Sequence, residues 1–155
     1  MCGICGIIEV NIVTFINATK MYIICKIQET INIKIGRRLK SMPFIGSKVS
    51  VKISKEKEVI IKEKLGKAIE LIPGKSETFL MIGFEDEYSL YFAGEKLEKG
   101  AFIEVKIFGK ASEDAYEKLT AEICNIYEAE LGIPQNKIYV KYEEVNEWGW
   151  NGNNF

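Results

Sequence analysis

Acid–base chemistry in this chain has to come from unusual groups, because the sequence contains no histidine. That absence excludes histidine triads, histidine metal sites and histidine general bases together. The segment GRRLKSMPFIG, residues 36–46, places a proline, Pro43, directly after Met42. If Pro43 were the first residue, its free amino group would be the most economical base in the sequence.

A free α-amino group is suited to proton transfer near neutral pH. Its pKa of about 7.7–8.0 lies much closer to neutrality than the value of about 10.4 for a lysine side chain. An apolar pocket and a nearby cation both destabilise the protonated amine, so a buried N-terminal amine can act as a base. As an internal residue, Pro43 would be a tertiary amide without basicity, and its ordinary role would be to start a strand.

The composition of the whole chain limits the kinds of partner that we expect. It has 155 residues, of which 47% are apolar, and a net charge of −1. This length supports one globular domain. Nucleic acid is not an expected partner, because phosphate binding needs clustered basic residues. A membrane is not expected either, because no stretch of about 18 apolar residues occurs.

The composition changes at Met42. Residues 1–41 hold six basic and two acidic residues, a net charge of +4, whereas residues 42–155 hold fifteen basic and twenty acidic residues, a net charge of −5. The first part also contains Cys2 and Cys5, a Cys-x-x-Cys pair that could be half of a zinc site or a redox pair. No second pair accompanies them, so we favour neither role. The two parts of the chain therefore differ in net charge and in cysteine content.

From Met42 onward the hydrophobic pattern predicts two copies of a strand, a helix and a strand. The predicted strands are residues 43–51, 78–84, 101–109 and 137–145, with a shorter one at 89–93. Ser54 and Ser112 are the predicted helix N-caps, and Pro73-Gly74 and Gly132 are the predicted ends. The apolar positions with helical spacing are Ile61, Leu65, Ala68, Ile69 and Ile72 in the first helix and Tyr116, Leu119, Ile123 and Ile126 in the second. Right-handed crossovers place both helices on one face of a four-stranded sheet, an α/β (α+β) fold.

The other face of this sheet is predicted to need a partner. The continuous apolar run TFLMIGF, residues 78–84, fits a buried strand. TFLMIGF and AFIEVKIF are both apolar on both sides of the pleat, which is unsuited to contact with water. The tail NEWGWNGNNF, residues 146–155, suits a short edge strand that reaches onto a neighbouring subunit, with a loosely packed end as the alternative. Both segments favour self-association. Cys124, on the second helix, is predicted to be a core thiol.

Several short motifs occur in a recognisable order. They are Met42-Pro43 at the start of a strand, Gly74-Lys75 after the first helix, Phe108-Gly109-Lys110 after the third long strand, Ile138-Tyr139-Val140 with Tyr142, and Asn146 followed by Gly149-Trp150-Asn151. Through these motifs, residues 42–155 resemble the macrophage migration inhibitory factor family of the tautomerase superfamily. The resemblance implies a duplicated β-α-β tautomerase fold, assembled as a homotrimer whose three sheets form a barrel with active sites at the subunit interfaces.

The resemblance also implies an activity. In this family the initiator methionine is removed and the exposed proline, here Pro43, is the catalytic base. The implied reaction is keto–enol tautomerisation of phenylpyruvate-like α-keto acids. Dopachrome-type compounds are also possible substrates by this resemblance. It needs neither a metal nor an organic cofactor.

The same resemblance assigns substrate-binding residues, each of which also has an ordinary structural role. Lys75 would hold the substrate carboxylate, although a cation after a helix C-terminus also stabilises the helix dipole. The Phe108 backbone amide would contact the same carboxylate, while its ring could simply be core. Tyr139, unremarkable in a strand, and Trp148 would line the pocket that receives the apolar part of the substrate, Tyr139 from the neighbouring subunit. Lys141 departs from the asparagine of mammalian members, which contacts the far end of an aromatic substrate.

A second class of function stays open. A non-catalytic, cytokine-like signalling or binding protein could use the same trimer to engage a host receptor. The Ile-, Lys- and Asn-rich composition is typical of an AT-rich microbial gene, which favours an enzyme. We expect a cytoplasmic protein, with export without a signal peptide as the alternative that the resemblance leaves open.

Residues 1–41 have no counterpart in the family. We expect the native protein to start at Met42, with residues 1–41 a poorly ordered extension that comes from a misplaced gene start. If Arg37 and Arg38 are both encoded AGG, the message there reads AGGAGG, a bacterial ribosome-binding sequence. The alternative is a genuine fused arm that blocks the site, because an amide-linked Pro43 cannot be the base.

Overall fold

The computed structural model describes residues 42–154, together with Ile23 and Lys26, which are both helical and exposed. The chain divides into two units, Met1–Arg38 and Leu39–Phe155, and residues 42–154 belong to the second. The predictions made for residues 1–41, including the Cys2 and Cys5 pair and the gene start, lie outside the described residues. No helix in the described part of the chain has the length and hydropathy that crossing a bilayer requires.

The described chain contains strands and helices in the predicted order. The strands are β1 (Pro43–Val49), β2 (Met81–Glu85), β3 (Tyr91–Phe92), β4 (Glu95–Lys96), β5 (Ala101–Phe108), β6 (Ile138–Val145), β7 (Gly149–Trp150) and β8 (Asn153–Asn154), and the helices are α1 (Lys55–Ala68) and α2 (Glu113–Leu131). Short 3₁₀ turns lie at Ile69–Leu71, Glu77–Phe79 and Gln135–Lys137.

The main sheet of the described residues has four strands in the order β2-β1-β5-β6. Strands β1 and β2 are parallel, as are β5 and β6, and the two pairs meet through antiparallel pairing of β1 with β5. This confirms the duplicated β-α-β architecture, because each parallel pair requires a crossover through a helix. The register places Pro43 opposite Ile107 and Phe44 opposite Lys106.

Both helices begin where the sequence indicates, and α2 also ends there, but α1 ends at Ala68, before the predicted Pro73-Gly74, and the 3₁₀ turn Ile69–Leu71 follows it. The Ser54 and Ser112 hydroxyl groups accept hydrogen bonds from the backbone amides of Lys57 and Ala115, at 3.3 Å in each case. Helix α2 ends at Gly132, whose φ of 62° lies in the left-handed region that glycine favours. The predicted apolar positions of both helices are buried, except for Tyr116, which is partly exposed.

The core lies between the helices and one face of the sheet. Its sheet residues alternate along β1 and β5, as expected for a half-buried sheet, and include Ile45, Val49, Ile103, Val105 and Ile107. Cys124 is buried in this core, as predicted.

One polar contact crosses the core between β1 and α2. The hydroxyl groups of Ser47 and Tyr127 share a hydrogen bond, and both residues are almost fully buried. Burial raises the pKa of Tyr127, since the charged phenolate would lose its solvation. Removing one hydroxyl would leave the other unsatisfied, at a cost of about 1–3 kcal/mol. The bond thus fixes the position of α2 over the strand that begins at Pro43.

The predicted strand at residues 78–84 is shorter and more exposed than expected. The segment TFLMIGF begins in the 3₁₀ turn Glu77–Phe79, and the strand itself is Met81–Glu85. This strand lies at the sheet edge, and Met81 is 70% exposed. Within the single chain this strand is therefore not buried, because an edge strand has a neighbour on one side only.

The sheet face away from the helices is not apolar throughout. On β5 this face carries Phe102, Glu104, Lys106 and Phe108, so the prediction that AFIEVKIF is apolar on both sides is wrong. Five residues of this face form an alternating charged row, Lys48, Glu104, Lys141, Glu143 and Lys106, with successive nitrogen–oxygen distances of 3.4, 4.0, 3.7 and 3.7 Å. Any partner on this face therefore meets charges as well as aromatic rings.

Candidate functional site

Pro43 lies in the wall of a cavity of about 610 Å³, here called the Pro43 cavity. Pro43 itself is buried. Most of the lining is apolar, and it includes Pro43, Phe44, Phe79, Lys106, Trp148 and Trp150. A cavity of this size with few polar groups is typical of small-molecule sites.

Four separate segments build the walls of this cavity. The start of β1 lies between β2 and β5, so Phe44 is paired with Met81 on one side and Lys106 on the other. The fourth segment is the β7–β8 hairpin, which contributes Trp148 and Trp150. Residues 151 and 152 form its turn as an Asn-Gly pair with positive φ angles of 51° and 81°, the typical two-residue hairpin turn. The aromatic tail therefore folds back onto its own chain at the site.

Lys75 follows the turn after α1 and is buried, with 8% of its surface exposed. Its Nζ donates a hydrogen bond to the Phe108 carbonyl oxygen at 2.7 Å. Desolvation by burial lowers the pKa of Lys75, because the ammonium loses contact with water. A buried cation held in this way is suited to bind a carboxylate.

The Phe108 backbone connects Lys75 to the residue before Pro43. While its carbonyl accepts from Lys75, its amide donates to the Met42 carbonyl oxygen at 3.3 Å. Met42 is also buried, at 5% exposure. The antiparallel register of β1 and β5 fixes this contact, since Pro43 lies opposite Ile107. With Met42 attached, an oxygen of the chain itself therefore occupies the Phe108 amide.

Two of the predicted site residues lie elsewhere in the chain. Tyr139 lines a second cavity, of about 90 Å³, where its ring meets Phe92 edge-on with centroids 5.8 Å apart. Lys137 Nζ lies 4.5 Å from the centroid of the Phe92 ring in the same cavity. Lys141 lies in the charged row. In the single chain, Pro43 and Trp148 thus line one cavity, and the Lys75–Phe108 pair adjoins it through the hydrogen bond from Phe108 to Met42. Tyr139 and Lys141 lie apart from them, facing outward.

The sequence reasoning assigned only Pro43 and Trp148 of the Pro43 cavity as site residues, and among those it missed are Phe79, Lys106 and Trp150. Phe79 follows Lys75 by four positions but falls in a segment that was predicted to be a buried strand. Lys106 lies on the face of β5 that was expected to be apolar. Trp150 was noted in the tail and in the Gly149-Trp150-Asn151 motif, but it was given no role in the site. Strand alternation could have placed Lys106 beside Phe108, two residues along the same face.

The fold and the cavity define the class of protein. Two parallel β-α-β units joined antiparallel, with a proline cavity at the start of the first strand, are a tautomerase-superfamily architecture. A family model for macrophage migration inhibitory factor matches residues 42–155, and the chain belongs to that family.

Individual relatives agree with this assignment. The chain is 31% identical to MIF2 from Leishmania major, with a TM-score of 0.69 over 74% of this chain and 98% of that structure. It is 30% identical to a homologue from Prochlorococcus marinus, with a TM-score of 0.65 over 72% of this chain and 98% of that structure. Macrophage migration inhibitory factor from Xenopus laevis is 27% identical over 93 residues, which are 59% of this chain and 80% of that protein. The family supports a tautomerase-like or macrophage migration inhibitory factor-like function, and its members are typically homotrimers that bind small molecules.

Proposed function

We propose that this protein, when Pro43 is its first residue, is a cofactor-free tautomerase acting on phenylpyruvate-like α-keto acids. The observation that carries the proposal is the position of Pro43, buried in an apolar cavity beside the Lys75–Phe108 pair. The apolar walls and the nearby ammonium both favour an unprotonated amine at neutral pH. That is the protonation state a base requires.

The proposed reaction moves one proton between carbon and oxygen. The Pro43 amine takes a proton from the carbon beside the keto group, and the electron pair of that C–H bond becomes the C=C bond of the enol. The π electrons of the C=O bond move to the oxygen, and the protonated Pro43 amine returns the proton to it. Ketonisation runs the same steps in reverse. Lys75 and the Phe108 amide hold the carboxylate, and Trp148 packs on the apolar part of the substrate. Tyr139 and Lys141 of a neighbouring subunit complete the pocket in this proposal.

Replacing Pro43 with glycine tests the proposal. In chains that begin at residue 43, the substitution should lower kcat/KM for phenylpyruvate ketonisation by at least about tenfold, because positioned proton transfer contributes about 10²–10⁴-fold. Part of the activity should survive, since glycine keeps a primary amine. The enol absorbance gives the rate, and intact mass shows that Met42 is absent from both proteins. Lys110→Met, an exposed change outside the cavity, is the control, and equal turnover by the glycine variant would contradict the assignment.

We also propose that the protein is a homotrimer. In the single chain, the sheet face away from the helices leaves large side chains exposed, Tyr139 at 58% and Met81 at 70%. Deleting residues 146–155 should weaken the trimer, because the deletion removes the β7–β8 hairpin with both Trp side chains. Sedimentation of residues 42–155 with and without the tail measures this. A stable monomer of the intact 42–155 chain at micromolar concentration would count against the assembly and its interfacial sites.

A further inference from the structure

Lys106 is the charged residue of the Pro43 cavity. Among the lining residues in the described part of the chain, its side chain is the one that carries a charge. The others that face the space near it are large and apolar, and they include Phe44, Phe79 and Trp148. An anion that enters the cavity would meet this ammonium beside apolar walls, where the attraction between opposite charges is stronger than in bulk water.

The charged row carries one positive charge more than it has negative charges. The row begins with Lys48 and ends with Lys106, and its three lysines outnumber its two glutamates. The partner of Lys106 is Glu143, at 3.7 Å, which is longer than a hydrogen bond. Glu143 is also 3.7 Å from Lys141, so one carboxylate serves two ammonium groups. The Lys106 ammonium can therefore still donate a hydrogen bond to a second anionic group.

The position of Lys106 relative to the carboxylate site sets the length of a matching ligand. Lys106 and Phe108 lie two residues apart on the same face of β5, which is about 7 Å along a strand. The Phe108 amide marks the proposed carboxylate site beside Pro43. A ligand with about one aromatic ring between its two anionic groups matches this spacing along the strand.

We propose that Lys106 is a specificity-determining residue, which selects α-keto acids that carry a second, distal carboxylate. The inference rests on the proposed function and names the substrate class for the same site. The first carboxylate binds at Lys75 and Phe108, the ring or chain packs on the aromatic walls, and the distal carboxylate meets Lys106. Phenylpyruvate lacks the distal carboxylate, so it is a substrate without the group that Lys106 would bind.

A matched substrate pair tests this inference. Phenylpyruvate and 4-carboxyphenylpyruvate share the reacting end and differ in the distal carboxylate. Trimeric wild-type protein beginning at Pro43 should show a higher kcat/KM for the carboxylated compound. Lys106→Met should reduce that preference by about tenfold, the order expected for one partly exposed charge-assisted contact. Lys106→Arg, which keeps the charge, should retain most of the preference, and Lys110→Met should leave it unchanged.

Binding separates this inference from the proposed function. Quenching of Trp148 and Trp150 fluorescence gives the dissociation constant of each compound without turnover. A wild-type preference for 4-carboxyphenylpyruvate that disappears in Lys106→Met supports the inference, even if neither compound is converted, whereas absence of conversion contradicts the proposed function. An equal preference in the wild type and in a correctly assembled Lys106→Met protein would overturn the inference, as would wild-type protein that binds phenylpyruvate more tightly.

Discussion

A chain that retains Met42 should be at least about 100-fold less active toward phenylpyruvate than a chain that begins at Pro43, because proton transfer by a positioned base contributes about 10²–10⁴-fold. Two groups are lost together while Met42 is attached. The Pro43 nitrogen is an amide without basicity, and the Phe108 amide is already bonded to the Met42 carbonyl. Release of Met42 therefore supplies the base and removes the internal competitor for the carboxylate site in one cleavage.

Three forms of the protein distinguish these effects. They are the full 155-residue chain, a chain released by a site-specific protease so that it begins at Pro43, and a chain with one glycine before Pro43. The glycine form has a free amine one residue too early, so it should be as inactive as the full chain. Intact mass identifies each form, and the NMR shift of the Phe108 amide should change when Met42 leaves. Equal activity of the intact full chain and the released chain would contradict the role of Pro43.

Lys75→Met should lower kcat/KM for phenylpyruvate by about 10- to 100-fold, the equivalent of a lost charge-assisted contact of about 1.5–3 kcal/mol. Most of the loss should appear in KM, because Lys75 is proposed to hold the carboxylate in both the bound substrate and the transition state. Lys110→Met is the matched control, since Lys110 is an exposed lysine two residues after Phe108. An unchanged KM in Lys75→Met would show that the substrate carboxylate does not bind at Lys75.

The pH dependence of the wild type offers a second test of Lys75. Burial holds its pKa below the ordinary lysine value, so Lys75 loses its proton at a lower pH than an exposed lysine. KM should therefore rise as the pH rises through this lowered pKa, and the rise should be absent in Lys75→Met.

The stability of the protein should also depend on the protonation of Lys75. Stability should increase with pH, whereas substrate binding becomes weaker. Between the lowered pKa of folded Lys75 and its ordinary value, the unfolded chain binds more protons than the folded chain, so the free energy of unfolding rises with pH in that window. Below the folded pKa, the charged buried lysine costs stability. Chemical denaturation of the wild type and of Lys75→Met across this range measures the difference.

The sequence by itself determined the local elements of this protein. The caps Ser54 and Ser112, the end of α2 at Gly132 and the buried stripe of each helix depend on neighbours within a few residues, and a sequence shows those directly. The order of strands and helices was also predictable, because a duplicated β-α-β pattern leaves few topologies. The resemblance supplied Pro43, Lys75 and Phe108 as one site, and the structure places the backbone of Phe108 between the other two.

The tertiary structure decided which groups share a cavity. Met81 and Phe79 were predicted to be buried in a strand, but the position of β2 at the sheet edge exposes Met81 and puts Phe79 in the cavity wall. Lys106 meets Pro43, Phe79 and Trp148 only because antiparallel pairing of β1 with β5 and the folded tail bring four distant segments together. The spacing of these segments along the chain does not predict this arrangement, because strand register is set by long-range pairing. A register shift of one residue moves every side chain of a strand to the opposite face.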